Sequence, residues 1–102
     1  MSTFDSDTQR VIEWAEARRI IPNSTPSAQL LKTVSELGEL ADATLKGDVE
    51  GIIDGLGDVL VTLIIYAKLQ GIDLPAALGL AYMTIKDRRG TLMSNGVFVK
   101  EE

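Results

Sequence analysis

The sequence predicts an all-α fold, a four-helix bundle-like domain that ends in a short β-hairpin. Apolar residues recur at helical spacing through most of the chain, and N-cap residues, prolines and glycines divide that region into helices. An Asn-Gly pair between short apolar runs follows near the end. We expect one domain over residues 1–102, with an N-terminal helix and loop at 1–25, core helices at 26–90 and a hairpin tail at 91–102.

The first helix is predicted from Ser6–Gln9, which has the spacing of a capping box. Apolar residues at helical spacing then indicate a helix of roughly Asp7–Ile20, which Ile21–Ser24 ends. Thr25 supplies an N-cap and Pro26 the first position of a second helix. One apolar stripe marks that helix, formed by Leu30, Val34, Leu37, Ala41 and Leu45.

The sequence Lys46-Gly47-Asp48 predicts a tight turn. Lys46 is a cation at the C-terminus of the second helix, Gly47 can take the left-handed cap conformation, and Asp48 can cap the N-terminus of the next helix. The second and third helices are therefore expected to be antiparallel neighbours. The third helix, ending near Gln70, is apolar almost all round, which places it centrally or in a subunit interface. Gly55 and Gly57 inside it each cost about 1 kcal/mol relative to alanine, which indicates close approach of a partner helix or of substrate.

The fourth helix is predicted to open at Asp73-Leu74-Pro75 and to continue to Gly90. The tail that follows changes period, and Asn95-Gly96 lies between short apolar runs. Such a dipeptide is the strongest short-range signal of a β-hairpin.

The composition limits the classes of function. A chain of 102 residues buries a modest core, so we expect help from a partner subunit. A formal net charge of -5 without an extended basic tract argues against a nucleic acid polymer as partner. With no cysteine and no histidine, thiolate and histidine metal sites and Ser-His or Cys-His nucleophiles are excluded. The polar N-terminus and the absence of a membrane-length apolar run predict a cytoplasmic protein without a membrane partner.

Four acidic residues are placed symmetrically about Gly47. Glu36 and Asp58 have their midpoint at 47, and Glu39 and Asp54 have theirs at 46.5, so an antiparallel hairpin brings all four to one height. Each pair shares a helix face, since its members lie about 60° or about 40° apart. Carboxylates gathered in this way need a cation, and oxygen-only ligands favour magnesium, manganese or calcium. The alternative is that these are ordinary solvated charges on a helical hairpin.

Other residues are candidates for binding a substrate, each with a simpler explanation. Lys32 either contacts a phosphate or pairs with Glu36 one turn later. Trp14 and Tyr82 either stack on a base or belong to the core. The cations at the end of the fourth helix either grip phosphates or complement the helix dipole, and they are Lys86, Arg88 and Arg89.

Two segments, 32–43 (KTVSELGELADA) and 53–61 (IDGLGDVLV), resemble the MazG-like family of all-α nucleoside triphosphate pyrophosphohydrolases. The tail, 81–90 (AYMTIKDRRG) with 95–100 (NGVFVK), is similar to that of the short phage-type members. The resemblance covers about residue 28 to the C-terminus. It implies the family's acidic pattern E-E-x-x-E followed by E-x-x-D, whose side chains bind magnesium.

The chain follows this acidic pattern in part. Its second, third and last acids fall on Glu36, Glu39 and Asp58. Ser35 stands at the first acid and Gly55 at the fourth, with Asp54 one residue earlier. Since a helix brings Asp54 to nearly the same face, we carry it over as a shifted ligand. The resemblance thus implies a magnesium site, with Mn²⁺ as an alternative ion, held by Glu36, Glu39, Asp54 and Asp58.

The resemblance also implies the activity, hydrolysis of a nucleoside or deoxynucleoside triphosphate to the monophosphate and pyrophosphate. Glu36 or Glu39 would orient or deprotonate the attacking water. The cations near the end of the fourth helix would hold the phosphates, within the subunit or from a neighbour in a homodimer or tetramer. Because positions 35 and 55 lack acids, two alternatives stay open: a catalytically silent helical oligomerisation module, and a nucleotide sensor that binds without turnover.

Overall fold

The computed structural model describes residues 3–101, and its architecture is the all-α fold with a C-terminal hairpin that the sequence predicts. The expected domain also includes residues 1, 2 and 102, which lie outside the described residues. The elements are α1 Phe4–Ala17, α2 Ile20–Asn23, α3 Pro26–Lys46, α4 Val49–Leu69, α5 Leu74–Ile85, β1 Gly90–Leu92 and β2 Phe98–Lys100. No helix within residues 3–101 is long and apolar enough to cross a membrane.

The antiparallel hairpin of α3 and α4 forms the centre of the fold, as the tight turn predicts. Gly47 adopts the left-handed conformation, with φ 65°, and its N–H closes the end of α3. The side chain of Asp48 then caps α4 by accepting the N–H of Gly51 at 3.0 Å. Thr25 caps α3 through the N–H of Ala28 at 3.1 Å, as predicted. Helix α3 therefore begins and ends, and helix α4 begins, where a cap residue dictates.

Two contacts fix the register of this hairpin. The hydroxyls of Thr33 and Thr62 form a buried hydrogen bond of 2.8 Å between α3 and α4. Gly55 lies against Leu40, because a Cβ at Gly55 would be 3.2 Å from the Leu40 side chain and 3.3 Å from its Cα. The close approach predicted from the glycines is confirmed at Gly55. At Gly57 a Cβ would meet nothing within 4 Å in the single chain, so close approach of a partner helix or of substrate there stays a prediction.

The first helix begins earlier than the sequence analysis expects. Thr3, not Ser6, is the N-cap: the Thr3 hydroxyl accepts the Ser6 N–H at 3.0 Å, and the Ser6 hydroxyl accepts the Thr3 N–H at 2.9 Å. The chain thus has a capping box three residues before the predicted one. The helix also ends before Ile20, because Arg19 takes a left-handed conformation with φ 62° that no α-helix continues. A separate short helix, α2, follows.

The apolar stripe predicted on α3 does not enter the core of the single chain. Leu30, Val34, Leu37 and Leu45 are 45–87% exposed. The face of α3 that packs inward instead carries Thr33, Glu36 and Ala43. Among the described residues, the buried hydrophobic side chains are small in number: Ala15, Ala43, Ile64, Ile65 and Ala67. The hydrophobic stripe is real but faces away from the chain's own core.

The C-terminal part extends from the hairpin with little burial. Helix α5 has no buried residue and ends at Ile85, not at the predicted Gly90. Gly90 instead starts β1, which pairs antiparallel with β2 and places Gly90 opposite Lys100. The predicted Asn-Gly turn is confirmed, with Gly96 at φ 87° and its N–H donating to the carbonyl of Met93 at 2.9 Å. Together, α5 and the two strands form an exposed arm, residues 74–101.

Candidate metal centre

Glu36 is the buried carboxylate of the site. It projects from the inward face of α3 and is 7% exposed. Its Oε1 lies 3.3 Å from Nζ of Lys32, one turn earlier on the same helix. Its Oε2 is buried and has no hydrogen-bond partner among the described residues. Since buried polar atoms in proteins are almost always paired, this oxygen points to a ligand that completes the site.

Glu39 and Asp58 both have raised pKa values. Glu39 has its pKa raised above the ordinary 4.5, first because its protonated form would be able to donate a hydrogen bond to the Glu36 carboxyl and then through the charge of Glu36. Asp58 has its pKa raised above 3.8 by loss of hydration, with the charges of Asp54 and Glu36 adding to the effect. Lys32 opposes both shifts without cancelling them. Glu36, Glu39, Asp54 and Asp58 thus form an electrostatically coupled group with an excess of negative charge.

Three of these acids line a cleft of about 260 Å³ on one side of the α3–α4 hairpin. Its walls include Glu39, Asp54 and Asp58, and Glu36 adjoins it through its contact with Glu39. The lining also contains residues that the sequence analysis did not assign to the site: Asp42, Ala43, Lys46, Asp48, Gly51 and Gly55. One hairpin thus brings three of the four predicted acids to one cleft with Glu36 beside it, and that they hold a metal together stays a prediction.

The spacing of two additional charged residues in the sequence places them on the same face as the site. Asp42 and Lys46 follow Glu39 by three and seven residues, so they share its helix face. The sequence analysis read Lys46 and Asp48 only as capping residues. Asp48 does cap α4, and it lines the cleft as well.

The acids do not surround a single point. Within residues 3–101, no group of three or more Asp or Glu side chains is arranged closely enough to hold a metal ion as it stands. Glu39 and Asp54 are exposed, whereas Glu36 is fixed by burial. The donor set nevertheless fits a hard divalent cation, because it consists of carboxylate oxygens and includes one buried oxygen without a partner. Binding would require the exposed carboxylates to turn towards the buried one.

The predicted phosphate-binding residues divide into two groups. Lys32 adjoins the acids and pairs with Glu36, the simpler of its two explanations. The residues of the exposed arm do not line the cleft of their own chain: Lys86, Arg88, Arg89 and Tyr82. Lys86 pairs with Asp87 at 3.1 Å, and Arg89 approaches Glu101 at 3.8 Å. One chain alone therefore does not bring these cations to the acids.

A second cavity adjoins the acidic cleft at Asp58. It measures about 360 Å³ and is lined by Arg10, Val11, Trp14, Asp58 and Val61. Trp14 is 43% exposed, so it is not the core residue that its helical spacing also allowed. Nothing in the spacing of Trp14 along the chain connects it with the acids. That connection arises because α1 packs across α4.

Comparison with known proteins gives consistent matches. The profile of the MazG nucleotide pyrophosphohydrolase domain matches residues 24–90. An uncharacterised 18.2 kDa protein from the rep-hol intergenic region of Haemophilus phage HP1 is 38% identical over 72 residues, covering 67% of this chain. This chain spans 44% of the length of that phage protein.

A solved structure shows the same fold. It is the cyanophage S-2L MazG-like pyrophosphohydrolase bound to dGDP and three catalytic Mn²⁺ ions per active site. The TM-score is 0.74 with 20% sequence identity, and the match covers 100% of both chains. The helical order described above is therefore shared along the whole chain.

Proposed function

Because the chain belongs to the MazG nucleotide pyrophosphohydrolase family, we propose that it hydrolyses a nucleoside or deoxynucleoside triphosphate to the monophosphate and pyrophosphate. The observation that carries this proposal is the coupled acidic group beside the cleft, with one buried carboxylate oxygen left without a partner. Such a group repels a triphosphate unless divalent cations lie between them. The structural relative bound to dGDP and Mn²⁺ supports the same chemistry here.

We propose Mg²⁺ as the cation, with Mn²⁺ as an alternative, and Glu36, Glu39, Asp54 and Asp58 as the residues that hold it. When bound, a divalent cation offsets phosphate charge and favours deprotonation of the attacking water. Glu36 supplies the fixed ligand because its burial and its contact with Lys32 restrict its rotamers. Glu39 is the more exposed carboxylate, and whichever of its oxygens the cation leaves free can orient water or accept its proton.

The phosphate-binding cations are proposed to come from a second copy of the chain. The exposed arm carries Lys86, Arg88 and Arg89 away from the acidic cleft of its own subunit. Large apolar residues are exposed on α3, α4 and the arm, where water contact is unfavourable: Leu31, Val34, Ile53, Leu56, Leu78 and Leu80. A homodimer or tetramer would cover these faces and bring an arm to a neighbouring cleft. Sedimentation of the purified protein tests the assembly, and a monomer across the working concentration range would contradict it.

The activity is tested by incubating the protein with a panel of ribo- and deoxyribonucleoside triphosphates and Mg²⁺ and resolving the products. We expect equal amounts of monophosphate and pyrophosphate. Release of orthophosphate, or no turnover of any triphosphate, would contradict the proposal. If turnover is absent while metal and nucleotide together still raise the melting temperature, the chain is a nucleotide sensor, which the missing acids at Ser35 and Gly55 would explain.

A further inference from the structure

The acidic cleft extends from the proposed metal centre to the turn between α3 and α4. On α3 its wall runs from Glu39 to Lys46. Seven residues of an α-helix are close to two turns, so these two side chains lie on one face, with their Cα atoms about 10 Å apart along the axis. On α4 the wall runs from Asp58 back to the cap residue Asp48. The cleft therefore has a metal end, at the four acids, and a turn end.

The turn end of the cleft is its less negative end. The two carboxylates there belong to Asp42 and Asp48. Asp48 caps α4, and the positive end of the α4 dipole offsets its charge. Lys46 lies one turn after Asp42 and is the single cation among the described residues that line the cleft. By contrast, three of the proposed metal ligands line the metal end without a lining cation.

The ammonium group of Lys46 is available to a ligand in this cleft. It forms no ion pair with any carboxylate of residues 3–101, although Asp42 stands at the favourable i, i+4 spacing. Side chains on a helix lean towards its N-terminus, so the four-carbon stem of Lys46 leads from the turn towards the metal end. The cations of the exposed arm differ in both respects, since Lys86 and Arg89 are paired and lie outside the cleft.

We propose that Lys46 binds the terminal phosphate of the triphosphate, so that the phosphate chain lies along the cleft from the metal end to the turn end. This inference rests on the proposed function, which places the phosphate under attack at the acids. A triphosphate and a lysine side chain together span the distance between Glu39 and Lys46. Lys46 is then a substrate-binding residue supplied by the same subunit, and the part of the substrate that leaves as pyrophosphate faces the turn.

Calorimetry of the wild type and of Lys46→Gln in Mg²⁺ tests this contact, with inorganic tripolyphosphate and a panel of nucleoside monophosphates as ligands. The phosphate of a monophosphate at the metal end does not extend to the turn, whereas tripolyphosphate does. Lys46→Gln should therefore weaken tripolyphosphate binding about 10-fold, the usual effect of losing one hydrogen bond to a charged group, and leave monophosphate binding unchanged. Equal weakening of both ligands, no effect on tripolyphosphate, or no binding of tripolyphosphate by the wild type would overturn the proposal.

Two further variants separate phosphate binding from a role in the helix. Lys46 lies in the last turn of α3, where a cation also complements the helix dipole. Lys68→Gln is the matched control, because Lys68 occupies the last turn of α4 and does not line the acidic cleft. This control should bind tripolyphosphate like the wild type, and Lys46→Arg should retain more affinity than Lys46→Gln. The same weakening in Lys68→Gln, or equal losses in Lys46→Arg and Lys46→Gln, would contradict phosphate binding by Lys46.

The two proposals fail in different ways. Turnover of triphosphates with an unchanged KM in Lys46→Gln would remove the role of Lys46 and leave the proposed activity intact. Selective loss of tripolyphosphate binding in Lys46→Gln, without turnover of any triphosphate by the wild type, would remove the proposed activity and leave the phosphate contact.

Discussion

Replacing Glu36 with Gln should raise the stability of the metal-free protein and abolish its stabilisation by metal. Glu36 is buried, its Oε2 has no partner, and its charge adds to that of Glu39 and Asp58. A glutamine has nearly the same volume but no charge, and its amide can donate to the Glu39 carboxylate. The substitution thus removes the cause of the repulsion and, at the same time, the fixed ligand of the proposed metal centre.

The size of the effect follows from the contacts of Glu36. A buried polar atom without a partner costs about 1–3 kcal/mol. The opposing loss is the ion pair with Lys32, whose side chain is 60% exposed, and such pairs contribute about 0–1 kcal/mol. We therefore expect the metal-free variant to gain about 1 kcal/mol, or about 4–8 °C in melting temperature for a domain of this size. At 100 times its Kd, a metal stabilises the wild type by about 2.7 kcal/mol, which the variant should largely lose.

The assay is thermal unfolding in a chelator and then in a series of Mg²⁺ and Mn²⁺ concentrations. Glu36→Gln should have a higher melting temperature than the wild type in chelator and a lower one at saturating metal. Glu16→Gln is the matched control, because Glu16 is an exposed carboxylate of α1 away from the cleft. A lower metal-free melting temperature together with a normal response to metal would refute the assignment of Glu36.

Three further predictions concern the same hairpin. The raised pKa values of Glu39 and Asp58 stabilise the metal-free fold below about pH 4, and this effect is lost as the pH rises through the folded pKa values. Protein in a chelator should therefore become less stable from pH 4 to pH 7, and saturating Mg²⁺ should reverse the loss. An increase in the stability of the chelated protein over this range would contradict the coupling. Gly57→Ala should stabilise α4 by about 1 kcal/mol, whereas Gly55→Ala should be less stable than Gly57→Ala because its methyl group meets Leu40. Urea unfolding compares the two variants, and equal unfolding midpoints would contradict the register of α3 against α4. Glu39→Gln should abolish pyrophosphate release with little change in the circular dichroism spectrum, and wild-type turnover in that variant would show that the metal site is wrongly assigned.

The parts of the fold that sequence predicts well are those specified by local chemistry. Gly47 can take a left-handed cap, Asp48 can cap the next helix, and Asn95-Gly96 favours a hairpin turn, so each position is determined within a few residues. The first helix was placed one turn late for a related reason. Both Thr3 and Ser6 can act as caps, and residue type alone does not show which hydroxyl accepts which N–H.

Features that depend on packing between elements were less accessible to sequence analysis. The spacing of the acids predicts the cleft that Glu39, Asp54 and Asp58 line, since an antiparallel hairpin has simple geometry. Nothing in the spacing indicated that Glu36 would be buried while Leu37 next to it faces out. Periodicity identifies an apolar stripe but not what covers it, and in the single chain this stripe is exposed. The proximity of Trp14 to Asp58 depends on how α1 crosses α4, which no local pattern encodes.

The most direct test of the central claim is the anomalous scattering of Mn²⁺ in crystals of the protein. We predict a peak in the cleft within coordination distance of Glu36 and of at least two carboxylates among Glu39, Asp54 and Asp58, at about 2.0–2.2 Å for an ion of this type. A peak bound only by Asp42 and Asp48, or no peak in the cleft at saturating Mn²⁺, would contradict the account.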